Sequence, residues 1–272
     1  MKTIRSFMSY GLLILLSLAI AAPLILLIFN SFKTESEFQA NPFGLPTTWT
    51  FTNIASAWVQ GNYAHAYLNT FIVAAVTIVV VLFSSGLGAY ALATLRFKWS
   101  TSFMAYLLFT MMVPSGMFLV PIFFMWQRFH LMNTLVGLVI VYCGIFMAFN
   151  VFLIRSYFVN IPMEIRESGL VDGASEFSVF FRIFVPMSKP VFFTAALILV
   201  VWTWNEFFYA NALLLNQNIK TVSLSYLAFT GRFTQNWTLI SAGGLISILP
   251  ILILYLFLQR RFIQGILEGS LK

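Results

Sequence analysis

Charged residues are scarce in this sequence. Asp, Glu, Lys and Arg make up 8% of its 272 residues, against about 25% in a typical soluble domain. Hydrophobic residues make up 60% of the chain. So few charges cannot cover a water-facing surface, which argues against a soluble enzyme, a nucleic-acid-binding protein and a disordered protein. The composition is instead that of a protein embedded in a lipid bilayer.

Cysteine and histidine are almost absent. The single cysteine, Cys143, excludes an intrachain disulfide framework and a cysteine-based metal site. The two histidines, His65 and His130, are far apart and suggest no metal ligands. The sequence also has no Gly-Lys pair and hence no Walker A phosphate-binding motif. We therefore expect no catalytic residues, no bound cofactor and no metal in this chain.

Six apolar runs are long enough to be transmembrane helices, which need about 20 residues each. They predict an all-α, polytopic membrane protein. The segment 30–67 is rich in Asn, Gly, Pro and Thr, so it is predicted to be a loop outside the membrane. Pro114 and Pro121 are expected to break the third run. The runs cover 11–29, 68–95, 103–126, 135–154, 191–215 and 239–258.

The basic residues predict the orientation of these spans. Cytoplasmic connections carry an excess of Lys and Arg. Of the 15 basic residues, eleven lie at the two termini or in the second and fourth connections, and four lie in the other connections. Both termini are therefore predicted to be cytoplasmic.

The connection 155–190, on the predicted cytoplasmic side, holds eight of the 23 charged residues. Pro162 suits the first turn of a short helix, and Asp172-Gly173 interrupts the pattern. Either Asp172 or Ser175 can cap a second helix. That helix carries phenylalanines at positions i, i+3, i+4 and i+7, which are Phe177, Phe180, Phe181 and Phe184. We expect a helix-turn-helix on the membrane surface, with the phenylalanines toward the spans.

The residue string from Glu167 to Ser175, with Phe181, Ile183, Pro186 and Pro190 after it, resembles the EAA loop of ABC importer permeases. That pattern has Glu-Ala-Ala, then Asp-Gly-Ala three residues on, then Phe, Ile and two prolines. This chain has Ser168 and Gly169 where the family usually has alanines, and both are still small. Other stretches resemble the carbohydrate branch of these permeases, namely 90–93 with 96–97, 112–114 with Pro121, 131–134, 161–162, 204–207 and 259–265.

The resemblance implies a coupling helix between the fourth and fifth spans, which docks into a cytoplasmic ATPase. The resemblance runs from about Leu68 to the C-terminus and implies a permease core of five spans (68–272), with the coupling loop at 155–190. The N-terminal span and outer loop (1–67) match the family only in layout. The residues implied to contact the ATPase are Glu164, Glu167, Ser168, Gly169, Asp172, Gly173 and Ala174. The residues implied to anchor the loop are Phe177, Phe180, Phe181 and Phe184.

The implied partners are those of an ATP-driven importer in the bacterial cell membrane. They are a second permease subunit, two copies of an ABC ATPase that binds ATP and Mg, an extracytoplasmic solute-binding protein and the lipid bilayer. The outer segment 216–237 resembles the part that reaches into the solute-binding protein. Nucleic acid is not an expected partner.

A candidate substrate path lies in the fifth run, where Glu206 is the one acidic residue within an apolar run. A carboxylate inside the membrane indicates a functional site. Two structural roles compete with it: the aromatic residues can form an interfacial belt, and Glu206 can interact with a neighbouring helix. The candidate path residues are Trp202, Trp204, Asn205, Glu206, Tyr209 and Asn211.

Three alternatives compete with a sugar permease. An ion-driven secondary transporter predicts inverted repeats and paired charges in the membrane, and the sequence has neither. A membrane enzyme needs a nucleophile with a base or a metal cluster, which two distant histidines do not supply. The closest rival is an ABC permease for another solute, such as a polyamine. The Trp-Asn-Glu-Phe stretch at 204–207 favours a sugar.

Overall fold

The computed structural model describes residues 2–95, 97–229 and 236–270, with side chains at 9–95, 97–229 and 236–259. Every regular element in these residues is helical, which confirms the predicted all-α class. The helices are α1 (Lys2–Ser31), α2 (Glu35–Ala40), α3 (Thr52–Gln60), α4 (Tyr63–Thr94), α5 (Ser100–Met112), α6 (Leu119–Arg128), α7 (Leu135–Phe158), α8 (Met163–Val171), α9 (Glu176–Val179), α10 (Val185–Met187), α11 (Lys189–Asn205), α12 (Phe208–Leu213), α13 (Val222–Ser225) and α14 (Trp237–Ser270).

Four to six of these helices are candidate membrane spans. Helices α1, α4, α7 and α14 are each long and apolar enough to cross a bilayer. Two further spans are obtained only if each of two bent pairs of helices is counted as one span. Helix α5 bends by 91° into the segment 115–128, and the segment 176–187 bends by 80° into α11. The predicted six spans are therefore the upper end of what the helices allow.

The third apolar run breaks at one proline and not at two. Helix α5 ends at Met112, and Val113 is extended before Pro114 starts a short 3₁₀ turn at Ser115–Phe118. Pro121 lies in the first turn of α6. A proline is tolerated there because the first N–H groups of a helix have no partner within it. The expectation that Pro121 also breaks the run is therefore wrong.

The fifth run is also interrupted, which the sequence did not predict. Helix α11 ends at Asn205, Glu206 has an extended backbone (ψ 119°), and α12 starts at Phe208. A continuous helix over 191–215 is therefore wrong. The break lies at the one acidic residue of the run, and the hydrogen bonds of that residue give the physical reason below.

The segment 30–67 is more ordered than the predicted loop. It contains α2, α3 and the start of α4. The Thr34 hydroxyl caps α2 by accepting a hydrogen bond from the Glu37 N–H at 3.3 Å. The Asn53 amide donates to the carbonyl oxygens of Ser31 (3.1 Å) and Lys33 (2.7 Å). The turn residues that predicted a loop therefore act here as helix caps and tethers.

The chain forms two compact units, Met1–Ala64 with Leu224–Leu252 and His65–Ser223 with Ile253–Lys272. In the first unit, Tyr63 is fully buried and its hydroxyl donates to the Gly243 carbonyl at 2.7 Å. Its ring stacks on Phe229 at a centroid distance of 6.5 Å. A Cβ at Gly243 would lie 2.6 Å from the Phe229 ring, so a glycine is needed for this close approach.

In the second unit, α7 packs against α5, α11 and α12. The first turn of α7 is tightly enclosed. The Trp126 indole N–H donates to the Gly137 carbonyl at 2.9 Å. A Cβ at Gly137 would lie 2.3 Å from the Leu131 carbonyl oxygen and 2.9 Å from the Trp126 indole nitrogen. Backbone atoms cannot move aside as a flexible side chain can, so this glycine allows the turn to pack.

We expect Gly137→Ala to lower the free energy of unfolding by about 1–3 kcal/mol, the usual cost of overpacking. Gly144→Ala is the matched control in the same helix, because a Cβ there would meet nothing within 4 Å. The measurement is thermal unfolding of the purified chain in detergent. Equal melting temperatures for the two variants would contradict the packing described for Gly137.

Candidate functional site

The segment 163–187 is a helical hairpin that turns at one glycine. Helix α8 starts after Pro162, and Gly173 follows it with a φ of +85°. A Cβ at Gly173 would meet nothing within 4 Å, so the backbone angle and not the space requires glycine. The Ser175 hydroxyl accepts a hydrogen bond from the Ser178 N–H at 3.3 Å. Of the two predicted caps, Ser175 is therefore the one used, and Asp172 is not.

Gly169 lets the two helices of the hairpin approach closely. It is buried. A Cβ there would lie 3.2 Å from Ile183 Cδ1 and 3.3 Å from Val179 Cγ2. The small residue therefore packs within the hairpin, and its surface is not available to a partner protein.

The four phenylalanines of the second helix do not share one face. Phe180 (2% exposed) and Phe184 (0%) are buried. Phe177 is 65% exposed, and Phe181 is 46% exposed although its ring stacks on Phe83 at 6.3 Å. The segment Phe180–Phe184 is a π-helical turn. A π turn holds an extra residue and so departs from the 3.6-residue register on which the prediction was based. Phe177 lies before this turn, in α9, and stays exposed.

Three elements meet at the carboxylate of Glu176. The Arg166 guanidinium of α8 donates to it twice, from Nε to Oε2 at 3.2 Å and from Nη2 to Oε1. The Tyr90 hydroxyl of α4 donates to Oε2 at 2.5 Å. The carboxylate thus joins both helices of the hairpin to the end of α4. We call Tyr90, Arg166 and Glu176 the carboxylate clamp.

The clamp changes the acidity of its two charged members. Burial is the largest influence on the pKa of Glu176 and acts to raise it, but the hydrogen bonds from Arg166 and Tyr90 and the Arg166 charge outweigh burial. The pKa of Glu176 is therefore lowered from its ordinary value of 4.5. The hydrogen bond to Glu176 is the main reason that the pKa of Arg166 is raised.

The turn of the hairpin exposes both acidic and apolar side chains. Of the residues predicted to contact an ATPase, Ala174 is half-buried and Gly169 is buried. Beside them, the Val171 side chain is 86% exposed. The remaining predicted contact residues are all exposed along α8 and the turn after it, and they are Glu164, Glu167, Ser168, Asp172 and Gly173.

Glu206 caps the helix that restarts after it. Its carboxylate accepts hydrogen bonds from the Tyr209 N–H at 2.8 Å, the Ala210 N–H at 3.1 Å and the Tyr142 hydroxyl at 2.6 Å. The Ser223 hydroxyl donates to the Glu206 backbone carbonyl at 2.8 Å. A negative side chain at a helix N-terminus is favourable, because it satisfies N–H groups that have no partner within the helix. The break at Glu206 is therefore stabilised locally.

Two of the predicted path residues are packed inside the second unit. Trp204 is 6% exposed, and its ring contacts the rings of Tyr67 and Phe71, each at a centroid distance of 5.8 Å. Tyr209 is 1% exposed, and its hydroxyl donates to the Ser115 carbonyl. Neither ring has a free face for a solute in this structure.

The remaining path residues are more accessible. Asn205 and Asn211 are exposed, although the Asn205 amide donates to the Val201 carbonyl at 2.8 Å. Trp202 is half-buried and borders a cavity of about 600 Å³ beside the break at Pro114. The lining also includes Thr110, Met111, Met112, Val113, Ser115, Phe118, Ile122, Trp126, Ile140, Val141, Gly144, Ile145, Ala148 and Phe149.

Two asparagines that sequence reasoning did not assign to a site hold the segment after α12. The Asn133 side-chain oxygen accepts hydrogen bonds from the N–H groups of Leu215 (2.9 Å) and Asn216 (2.8 Å). The Asn69 amide donates to the carbonyl oxygens of Asn218 (2.9 Å) and Lys220 (3.0 Å). The first part of the outer segment 216–237 is therefore tethered, whereas 230–235 lie outside the described residues.

The sequence did not predict the clamp, although two of its residues, Arg166 and Glu176, lie in a pattern that could have indicated it. Arg166 and Glu176 have opposite charges and flank Gly173 in a predicted helix-turn-helix, a geometry that brings such residues together. Tyr90 is marked in the sequence only by a family resemblance. Nothing in its local pattern indicates a partner 86 residues away.

The chain is similar to membrane components of transport systems. The family model described as "Binding-protein-dependent transport system inner membrane component" matches residues 84–268. The chain is 36% identical to the probable ABC transporter permease protein YurM of Bacillus subtilis, over 96% of this chain and 86% of that protein. It is 29% identical to the diacetylchitobiose uptake system permease protein NgcG of Streptomyces coelicolor, over 97% and 88% of the respective chains.

A solved structure has the same fold. It is the crystal structure of a bacterial ABC transporter involved in the import of the acidic polysaccharide alginate. One of its chains superposes with a TM-score of 0.86 at 24% identity, covering 96% of this chain and 97% of that one.

We expect the hairpin 163–187 to loosen in acid. Because folding lowers the pKa of Glu176 below 4.5, the stabilisation from the ionised carboxylate is fully present above 4.5 and is lost as the pH falls through the lower folded value. The measurement is amide hydrogen exchange of this segment, corrected for the intrinsic rate at each pH. Glu176→Gln should already be less protected at neutral pH, whereas the exposed control Glu167→Gln should match the wild type. Equal protection for all three proteins would contradict the role of Glu176.

Proposed function

Because the chain belongs to the family of binding-protein-dependent transport system inner membrane components, we propose that it is a permease subunit of an ATP-driven importer for a sugar or oligosaccharide. It is a multi-pass protein of the bacterial inner membrane, and it forms half of the translocation path. The single observation that carries the coupling part of the proposal is the helical hairpin 163–187, which ends in an exposed turn at Gly173.

The exposed turn has the chemistry of a docking surface for another protein. Three exposed carboxylates lie in the same segment as the exposed Val171 side chain: Glu164 in the first turn of α8, Glu167 in its middle and Asp172 directly after it. Such a surface fits a cleft with basic residues at its rim and an apolar floor. Phe177 is exposed and adds to the apolar part of this surface. In this proposal the cleft belongs to a cytoplasmic ATPase.

The rest of the hairpin holds the docking surface in place. The buried Phe180 and Phe184 anchor the second helix against Tyr90 and Phe158. Gly169 brings the two helices together. A hairpin packed in this way transmits a displacement as a rigid body.

The orientation of the chain follows from its basic residues. We infer that both termini and the hairpin are cytoplasmic, because Lys and Arg are concentrated in cytoplasmic connections. The hairpin and its flanks hold Arg155, Arg166, Arg182 and Lys189. Several residues that contribute to the same count lie outside the described side chains, namely Lys2, Arg5, Arg96, Arg232, Arg260, Arg261 and Lys272.

The names of related proteins support a carbohydrate as the solute. NgcG is named for diacetylchitobiose, and the transporter in the solved structure is described as importing alginate. Within this chain, Trp202, Asn205 and Asn211 are the accessible candidates for contact with the solute. Glu206 has three hydrogen-bond donors of its own and fixes the helix break, so we assign it a structural role.

The proposal requires partners. A second permease subunit completes the path, two copies of an ABC ATPase bind ATP and Mg, and an extracytoplasmic solute-binding protein delivers the solute. This chain acts as a non-catalytic subunit with no cofactor of its own.

The test is uptake of labelled sugar by proteoliposomes that contain the whole complex and its binding protein. We expect uptake only when ATP is present on the side of the membrane that carries the ATPase, because this chain supplies no other energy source. Uptake that continues without ATP would contradict the proposal. If the complex takes up a labelled polyamine and none of the sugars tested, the proposed solute class is wrong. The ATP-driven mechanism would still stand.

A further inference from the structure

We propose that the carboxylate clamp of Tyr90, Arg166 and Glu176 transmits movement of the hairpin to α4. This inference rests on the proposed function, because it takes the hairpin to be the surface that the ATPase moves. The clamp residues are positioning residues: they act through the helices that they join and are not assigned to contact the ATPase or the solute.

The clamp spans the flexible point of the hairpin. Arg166 precedes Gly173, and Glu176 follows it. Gly173 alone would let α8 and the second helix pivot, since a glycine with a φ of +85° has few steric limits. The forked contact of the Arg166 guanidinium with the Glu176 carboxylate opposes that pivot. Such two-point contacts fix direction as well as distance.

The position of the Tyr90 hydroxyl is fixed by the packing of its ring. The Tyr90 side chain is 4% exposed. Its ring makes edge-to-face contacts with Phe158, Phe180 and Phe184 at centroid distances of 6.4, 5.5 and 4.9 Å. Edge-to-face contacts of aromatic rings restrict orientation. The hydroxyl therefore reaches the carboxylate from a fixed position on α4.

The clamp also fixes the Glu176 carboxylate relative to α4. The aromatic contacts orient the Tyr90 ring but do not themselves hold that carboxylate. The 2.5 Å hydrogen bond from the Tyr90 hydroxyl does so. A displacement of the hairpin thus moves the end of α4 with it. Loss of the hydroxyl should leave the hairpin folded and docked but transmit less of its movement.

The test is Tyr90→Phe in the whole reconstituted complex. This variant keeps the ring and its three aromatic neighbours and removes only the hydroxyl, with its contacts to the other two members of the clamp. We expect the ATPase to co-purify as before, while the ratio of sugar transported to ATP hydrolysed falls by roughly fivefold or more, as a hydrogen bond to a charged group is a strong single contact. Tyr157→Phe is the matched control, because Tyr157 lies near the end of α7 outside the clamp, and its ratio should not change.

A charge exchange tests the clamp independently. Arg166→Glu alone and Glu176→Arg alone each place like charges together and should lower the ratio. The double variant restores opposite charges, and the Tyr90 hydroxyl can accept a hydrogen bond from a guanidinium where it donated one to a carboxylate. We expect the double variant to recover most of the loss. If the Tyr90→Phe complex does not assemble, this series decides the question.

The outcomes separate the two proposals. An unchanged ratio in Tyr90→Phe, or no recovery in the double variant, would overturn the clamp inference while ATP-driven uptake by the wild type stands. Absence of ATP-dependent uptake by the wild-type complex would overturn the proposed function and the clamp with it.

Discussion

Backbone N–H and C=O groups inside a bilayer need partners within the protein, and the structure depends on how they find them where helices break. Helix α11 stops at Asn205, and the Glu206 carboxylate accepts the N–H groups of the helix that follows. Lipid offers no hydrogen-bond partners to replace these bonds, and here the protein supplies them. The Tyr142 hydroxyl also donates to the Glu206 carboxylate. For this reason Glu206 is better understood as part of the fold than as a ligand for the solute.

The hairpin 163–187 uses charge in a different way. In a chain with 8% charged residues, Arg166 and Glu176 are committed to one internal ion pair, whereas the nearby Glu164, Glu167 and Asp172 lie at the surface. The internal pair gives the hairpin its shape, and the surface carboxylates give it a face for a partner. Mechanical coupling needs both properties, because the partner has to bind the hairpin and the hairpin has to move as a rigid body.

The sequence predicted the helical class, the hairpin and its turn at Gly173, because hydrophobic runs and a glycine before a capping serine are local signals. It did not predict the break at Glu206 or the exposure of Phe177. One partner of Glu206 at the break, Tyr142, is 64 residues away. Phe177 lies in the first turn after the hairpin's bend, where its side chain stays exposed. Likewise, Trp204 and Tyr209 were placed on the solute path by residue type, although packing against Tyr67, Phe71 and Ser115 buries them.

The central claim is that the exposed turn of the hairpin meets the ATPase, and cross-linking from Val171 tests it most directly. Val171→Cys in a Cys143→Ser background would carry a benzophenone maleimide in the assembled complex. Irradiation should join this chain to the ATPase, whereas the same probe at Val79→Cys, 67% exposed on α4, should not. An active complex that forms no ATPase adduct from position 171 would contradict the account.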